Sequence, residues 1–264
     1  MPEPALRFHG RPPFTLAVLH GGPGAAGEAA PVARALARKG RGVLEPFQTR
    51  TTPDGQVREL AGVLARHAAS PLTVVGFSWG AWLAWLLASK HPRLVGRLVL
   101  IGSGGFRPGD GLIAQTERVA RMNERQRLAY AALAGRLPLA SPREQDVLFA
   151  SLGRLMSRVD AHDPFPVFSR NVVHSYAIYR RVWPAADRLR ASGRLLACAD
   201  RIHCPVIALH GDRDPHPAEG VRLPLSERLA DFRFVLLPRC GHKPWIERQA
   251  REAFYARLNE AVAS

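Results

Sequence analysis

Lysine is nearly missing from this chain. Of its 37 Lys+Arg residues only Lys39, Lys90 and Lys243 are lysines, so arginine carries a net charge of +15 against 22 Asp+Glu. A nucleic-acid footprint gathers basic residues on one face or one helix. Here the arginines run the length of the chain, which predicts solvated arginine-rich surfaces with no specific nucleic-acid partner. Weak attraction to anionic surfaces would be a side effect. Cysteine is scarce too: Cys198, Cys204 and Cys240 cannot all pair with one another, and their spacing fits neither a disulfide framework nor a zinc site. Reduced thiols are expected. No apolar run approaches the roughly 18 residues of a membrane span. The opening Met1-Pro2-Glu3-Pro4 lacks a basic stretch leading into an apolar one, so no secretory signal is expected and a cytoplasmic location is the expectation.

What is present is an alternation. At 264 residues the chain is near the upper size for one hydrophobic core, which suits a single domain carrying an insertion. Short apolar runs at 14–19, 42–47, 72–77, 98–101, 205–209 and 232–237 mostly end at Gly-, Ser- or Asp-bearing turns. Helical patterns follow at 28–39, 56–69, 79–90, 219–230 and 245–262, the last with Ala250, Phe254 and Leu258 on one stripe. Strand and helix in alternation predict an α/β fold, a mostly parallel sheet of about six strands flanked by helices. Residues 106–199 break the rhythm with amphipathic, arginine-rich stretches and no strand-like alternation. They are expected to form a helical cap inserted into a core made of 1–105 and 200–264.

The sharpest local signal is Gly76-Phe77-Ser78-Trp79-Gly80, with an apolar strand before it and a helix after it. A turn that sharp crowds the residues beside the serine, which is why glycine is needed at 76 and 80. It would raise the Ser78 hydroxyl to the sheet edge at a helix N-terminus that favours negative charge. A second loop, His20-Gly21-Gly22-Pro23-Gly24, follows an earlier strand and could offer backbone N–H groups to an oxyanion. The donors would be Gly22 and Trp79. No Gly-Lys-Ser/Thr follows, which argues against a Walker-type phosphate cradle. Two later strands lead into His210-Gly211-Asp212-Arg213-Asp214-Pro215 and Cys240-Gly241-His242-Lys243-Pro244-Trp245. Serine, acid, histidine in that chain order would allow His242 to take the Ser78 proton while a carboxylate orients the imidazole. Asp214 is the first choice for that acid. Asp212, nearer the strand end, is the reserve and could instead hold the turn.

Taken together, these motifs resemble the α/β-hydrolase superfamily over nearly the whole chain. The His-Gly-Gly-Pro-Gly loop and the Trp directly after the serine resemble its proline iminopeptidase-like branch. The resemblance implies Ser78, Asp214 and His242 as a triad, Gly22 and Trp79 as oxyanion donors, and the insertion as a lid. Where that branch carries Asp-x-Arg-Gly-x-Gly-x-Ser, this chain has Glu45-Pro46-Phe47-Gln48-Thr49-Arg50-Thr51. Only 19 residues precede His20, so the leading antiparallel hairpin is expected to be shortened or missing.

The expected activity is hydrolysis of a small ester, amide or short peptide through an acyl-enzyme, with no metal or organic cofactor. An aminopeptidase of the proline iminopeptidase type is the alternative, and a lyase with the same triad or a non-catalytic ligand-binding protein stand behind it. Asp160 and Asp163 could hold a peptide's free amine, or could simply end a helix and form the turn before Pro164. Trp82, one turn along the helix after Ser78, could line the acyl pocket or pack in the core. Tyr176, Tyr179 and Trp183, at helical spacing, predict a cap face packed on the body. His216 follows Asp214 closely enough to edge the site, but the preferred reading is an exposed turn histidine.

Overall fold

The computed structural model describes residues 6–166 and 172–263. Strands β1 (Leu6–His9) and β2 (Phe14–Leu19) lead to the two-residue β3 (Ala25–Ala26), then α1 (Ala30–Ala37) and β4 (Gly42–Pro46). Next come α2 (Pro53–His67), β5 (Leu72–Phe77), α3 (Trp79–Lys90) and β6 (Val95–Ile101). The stretch between the sixth and eighth strands holds α4 (Asp110–Arg121), α5 (Glu124–Arg136), α6 (Pro142–Val159), β7 (Val173–His174), α7 (Tyr176–Ala191) and α8 (Arg194–Ala197). The chain closes with β8 (Val206–Gly211), α9 (Glu219–Ser226), β9 (Phe232–Leu237) and α10 (Arg251–Ala263).

Among the described residues one sheet has seven strands, in the order β1-β4-β2-β5-β6-β8-β9. All neighbours are parallel except β1, which runs antiparallel to β4. That strand is the one the apolar runs did not reveal, because Leu-Arg-Phe-His is a short, partly exposed edge.

The central strands are buried on both faces, which is why they read as continuous apolar runs. Leu72 and Val74 of β5, with Leu98 and Leu100 of β6, face α2 and α3. Their neighbours Val75, Phe77, Val99 and Ile101 face α1 and α10 on the other side. This is the period-two alternation of a strand between two layers. Helix α3 is buried at every position but Lys90. Such a helix can carry tryptophan only if each indole N–H finds an acceptor. Trp79, Trp82 and Trp85 donate to Gln56 Oε1 (3.0 Å), Gly104 O (3.0 Å) and Leu195 O (2.8 Å).

Between β6 and β8 the described elements are helices joined by loops, apart from β7, which pairs antiparallel with β3 (Ala25 opposite His174) and so ties the segment to the glycine loop. Within it, residues 167–171 lie outside the described residues. Capping boxes at Asn123/Gln126 and Ser141/Glu144 start α5 and α6. Tyr176 and Tyr179 pack with Phe149, while Trp183 stacks on Trp82 at 5.8 Å. No described helix is long and apolar enough to cross a membrane. The three cysteines are unpaired.

Candidate active site

β5 ends at Phe77 and α3 begins at Trp79, so Ser78 alone makes the turn between them. It does so at φ 52, ψ −116, a backbone conformation that costs a side-chain-bearing residue strain. A Cβ at Gly76 would overlap the Gly80 carbonyl, and one at Gly80 would stand 2.6 Å from the carbonyl oxygens of Leu19 and His20. The two glycines therefore answer to backbone approach on either side of the serine. Ser78 N–H donates to Ile101 O at 2.9 Å, and its side chain makes no capping bond to α3. Trp79 occupies the first position of that helix, where backbone N–H groups have no intrahelical acceptor.

The carboxyl ends of β8 and β9 bring the acid and the histidine together. Asp214 Oδ2 lies 2.7 Å from His242 Nδ1. Asp212 instead accepts the Cys240 N–H at 3.0 Å and braces the turn. The His242 ring rests on Phe77, the residue before Ser78, at 4.9 Å. Its backbone N–H donates to Asp160 O at 2.9 Å. A Cβ at Gly102, beyond the end of β6, would press on the His242 carbonyl at 2.8 Å, so this strand end also fits closely under the histidine.

His216 is not the exposed turn residue of the preferred reading; it borders the site, as its closeness to Asp214 allowed. It is 6% exposed. Both its backbone N–H (2.9 Å) and its Nδ1 (2.8 Å) meet Asp214 Oδ1, and its ring lies 4.7 Å from that of His242. A third histidine, His210, has Nε2 3.8 Å from Asp214 Oδ2. Burial alone would raise the Asp214 pKa, but attraction to His242, His216 and His210 and the His216 hydrogen bond hold it well below the usual carboxylate range. For His216, burial outweighs the pull of Asp214, and with repulsion from Arg118 and His242 its pKa is lowered to about 4. It is a neutral ring at neutral pH. Among the described residues, Asp214, His216 and His242 form a set of possible metal donors gathered within 4.8 Å, and their hydrogen bonds to one another account for the clustering.

The glycine loop lies between β2 and β3. Gly22 and Gly24 have φ 109 and 82, values that favour glycine. His20 Nδ1 is 2.7 Å from Gly21 O, and burial lowers its pKa. Its Nε2, like Glu45 Oε1 and Gln48 Oε1, is buried without a partner. Beyond the loop, Glu28 pairs with Lys243 at 2.6 Å, and Lys243 Nζ also donates to Ser157 of α6 at 3.0 Å.

The insertion's acidic candidates are already engaged. Asp160 is buried and takes both arms of Arg118, Nε at 2.8 Å and Nη2 at 2.7 Å. Asp163 faces Arg248 at 3.5 Å and Gln249 at 3.2 Å. Trp82 belongs to the core, with Trp183 stacked on it and the Arg190 guanidinium 5.4 Å from its ring. Sequence reasoning missed Arg118, Glu28 and Glu247. Glu247 is fully buried and accepts N–H groups from Gly241 (3.0 Å), His162 (2.9 Å) and Asp163 (2.7 Å), which fastens the His242 loop to the insertion. The carboxylate directly after Gly-His-Lys-Pro-Trp-Ile was visible, but nothing local marks it as buried. A separate groove of about 770 Å³, lined by Asp54, Arg58, Lys90, Leu189 and Arg201 among others, contains none of the site candidates.

A family profile described as the alpha/beta hydrolase family matches residues 7–257. The chain is similar to the pimeloyl-[acyl-carrier protein] methyl ester esterase of Chromobacterium violaceum, 27% identical over 195 residues, which are 72% of this chain and 70% of that protein. Solved structures of similar fold include a proline iminopeptidase from Mycobacterium smegmatis (TM-score 0.62, 18% identity, 97% of this chain and 92% of that one). Another is the 2-hydroxy-6-oxo-6-phenylhexa-2,4-dienoate hydrolase of a Rhodococcus species (TM-score 0.62, 21% identity, with the same 97% and 92% coverage). With the match running through nearly every strand and helix described above, this chain is a hydrolase of the alpha/beta hydrolase family.

Proposed function

We propose that the chain is a serine hydrolase that cleaves a small carboxylic ester or amide through an acyl-enzyme, with Ser78, His242 and Asp214 as its triad. The observation that carries this reading is the 2.7 Å bond from His242 Nδ1 to the buried Asp214, with the His242 ring resting on Phe77, the residue before the strained Ser78 turn. Because Nδ1–H is committed to Asp214, the neutral His242 ring offers Nε2 as a base. Ser78 Oγ attacks the substrate carbonyl while Nε2 takes its proton. The N–H groups of Gly22 and Trp79 receive the developing oxyanion. The protonated ring then returns the proton to the leaving alcohol or amine, and water releases the acid by the same steps. No metal or organic cofactor takes part. Residues 106–199 act as the cap over this edge of the sheet.

An ester is favoured over an aminopeptidase substrate because Asp160 and Asp163 already face cationic partners, so neither offers a free carboxylate to an amine. The esterase relative points the same way. The test is a panel of short- to medium-chain acyl esters beside a prolyl arylamide, run with wild type and Ser78→Ala. Ester turnover should exceed arylamide turnover, and Ser78→Ala should lower it by roughly 10⁴-fold or more. Undiminished turnover in Ser78→Ala, or a folded wild type inert to the whole panel, would overturn the reading and favour a ligand-binding member of the fold.

A further inference from the structure

Five contacts around His242 close into a ring. Its Nδ1 meets Asp214 Oδ2 (2.7 Å), and Asp214 Oδ1 meets His216 Nδ1 (2.8 Å). His216 Nε2 lies 3.5 Å from Arg118 Nη2, and Arg118 grips the Asp160 carboxylate at 2.7 and 2.8 Å. Asp160 O finally accepts the His242 backbone N–H at 2.9 Å. Two of the five groups, Arg118 of α4 and Asp160 at the end of α6, come from the insertion; the other three come from the strand ends. The proton placement is consistent all the way round. With the His216 proton on Nδ1, where the carboxylate demands it, Nε2 is an acceptor, and only a donor such as arginine suits it.

We propose that His216 and Arg118 are positioning residues for the reaction: through them the insertion holds the Asp214 carboxylate in line with His242. This inference rests on the triad reading. Held at Oδ1 by the His216 backbone N–H alone, the carboxylate could still turn about its own bond. The His216 ring adds a second donor on that oxygen and so fixes the plane of the carboxylate and the direction in which His242 Nε2 points. Arg118 in turn holds the His216 ring, so a shift of α4 and α6 reaches the base without touching Ser78. The charged and titratable groups facing His216 and Arg118 are Asp214, His242, Asp160 and Tyr179; His210 lies against Asp214, and Glu28 faces His242.

The variants are His216→Phe, which keeps a ring against His242 and the backbone N–H to Asp214 but neither ring-nitrogen contact, and Arg118→Met, with Arg118→Lys as the variant that keeps the charge. Each is first checked for wild-type circular dichroism and a cooperative melt. With a small ester, kcat should fall roughly threefold to tenfold in His216→Phe and Arg118→Met, the worth of about one hydrogen bond, while KM changes by less than about twofold. The acid limb of kcat/KM should move to higher pH in both. His216→Phe leaves Asp214 with one donor fewer, so it stabilises the His242 imidazolium more strongly; Arg118→Met removes a nearby cation. Arg118→Lys should keep the limb near its wild-type position. A merely structural role would change the melt and leave the limb alone. Unchanged kcat and an unchanged limb in both variants overturn the proposal. If wild type turns over no substrate, the triad reading fails by itself, and histidine ¹⁵N NMR then decides the circuit. A His216 ring that stays neutral with its proton on Nδ1, and shifts at Nε2 in Arg118→Met or Arg118→Lys, upholds it. One that titrates near the ordinary histidine value overturns it.

Discussion

Ser78→Gly should stabilise the fold while removing the reacting hydroxyl. At φ 52, ψ −116 the serine holds a conformation in which a Cβ is crowded by its own backbone. Such residues carry about 1–3 kcal/mol of strain, retained where the surroundings fix the turn. Here they do: carbonyls of Leu19 and His20 press on Gly80, and Ser78 N–H is fixed to Ile101 O. Ser78→Ala keeps the Cβ and therefore keeps the strain. Ser78→Gly releases it, but glycine loosens the unfolded chain by about 0.4–1 kcal/mol. Mid-range values, about 2 against about 0.7, leave glycine more stable than alanine by about 1.3 kcal/mol, or about 3–5 °C in Tm for a chain of this size. Urea unfolding of the two variants side by side measures it, since both lack the hydroxyl and differ only in the Cβ. A glycine variant equal to or less stable than the alanine variant would refute the claim that the Ser78 backbone is strained.

Gly80→Ala should fail to form the turn, with a loss of about 3 kcal/mol or more, read as insoluble protein or a strongly lowered urea midpoint. Stability should fall as pH drops from about 6.5 toward 4, because the unfolded chain takes up a proton at His216 that the folded one refuses until about 4. That shift is worth on the order of 3 kcal/mol, and His216→Phe should flatten this part of the profile. Asp214 acts in the same direction at lower pH: its folded pKa lies below the unfolded value, so its contribution is present above about 3.9 and is lost as pH falls through the folded value. Glu247→Ala should cost about 3 kcal/mol by leaving the N–H groups of Gly241, His162 and Asp163 without their acceptor, and should lower kcat through a loosened His242 loop.

The sheet was legible because its central strands are buried on both faces. Runs such as Leu72–Phe77 carry no charged residue and only Thr73 among polar ones, whereas Leu6–His9 sits at the edge with Phe8 exposed, the other three only partly buried, and two of its four residues basic, so it left no run to find. Ser78 and its glycines were legible because their spacing is dictated within five residues of chain. Asp214 and Asp212 could not be separated by spacing alone, since both follow β8 closely; only the path of the turn brings one to His242 and the other to the Cys240 N–H. Of the circuit through His216 and Arg118, only the closeness of His216 to Asp214 was legible. His216 looked like turn residue because burial depends on what folds over it, and that cover is α4, about 100 residues earlier in the chain. Asp160 looked available for the same reason: its partner Arg118 lies 42 residues away on another helix, one arginine among many.

The most direct test is chemical. A fluorophosphonate probe forms a covalent bond with a serine only where a neighbouring base has made it nucleophilic. Incubated at neutral pH, the wild-type chain should gain a single adduct, mapped by peptide mass spectrometry to Ser78, and Ser78→Ala should gain none. His242→Ala should label far more slowly. A folded wild type that stays unlabelled, or an adduct at any other residue, would contradict Ser78 as the nucleophile.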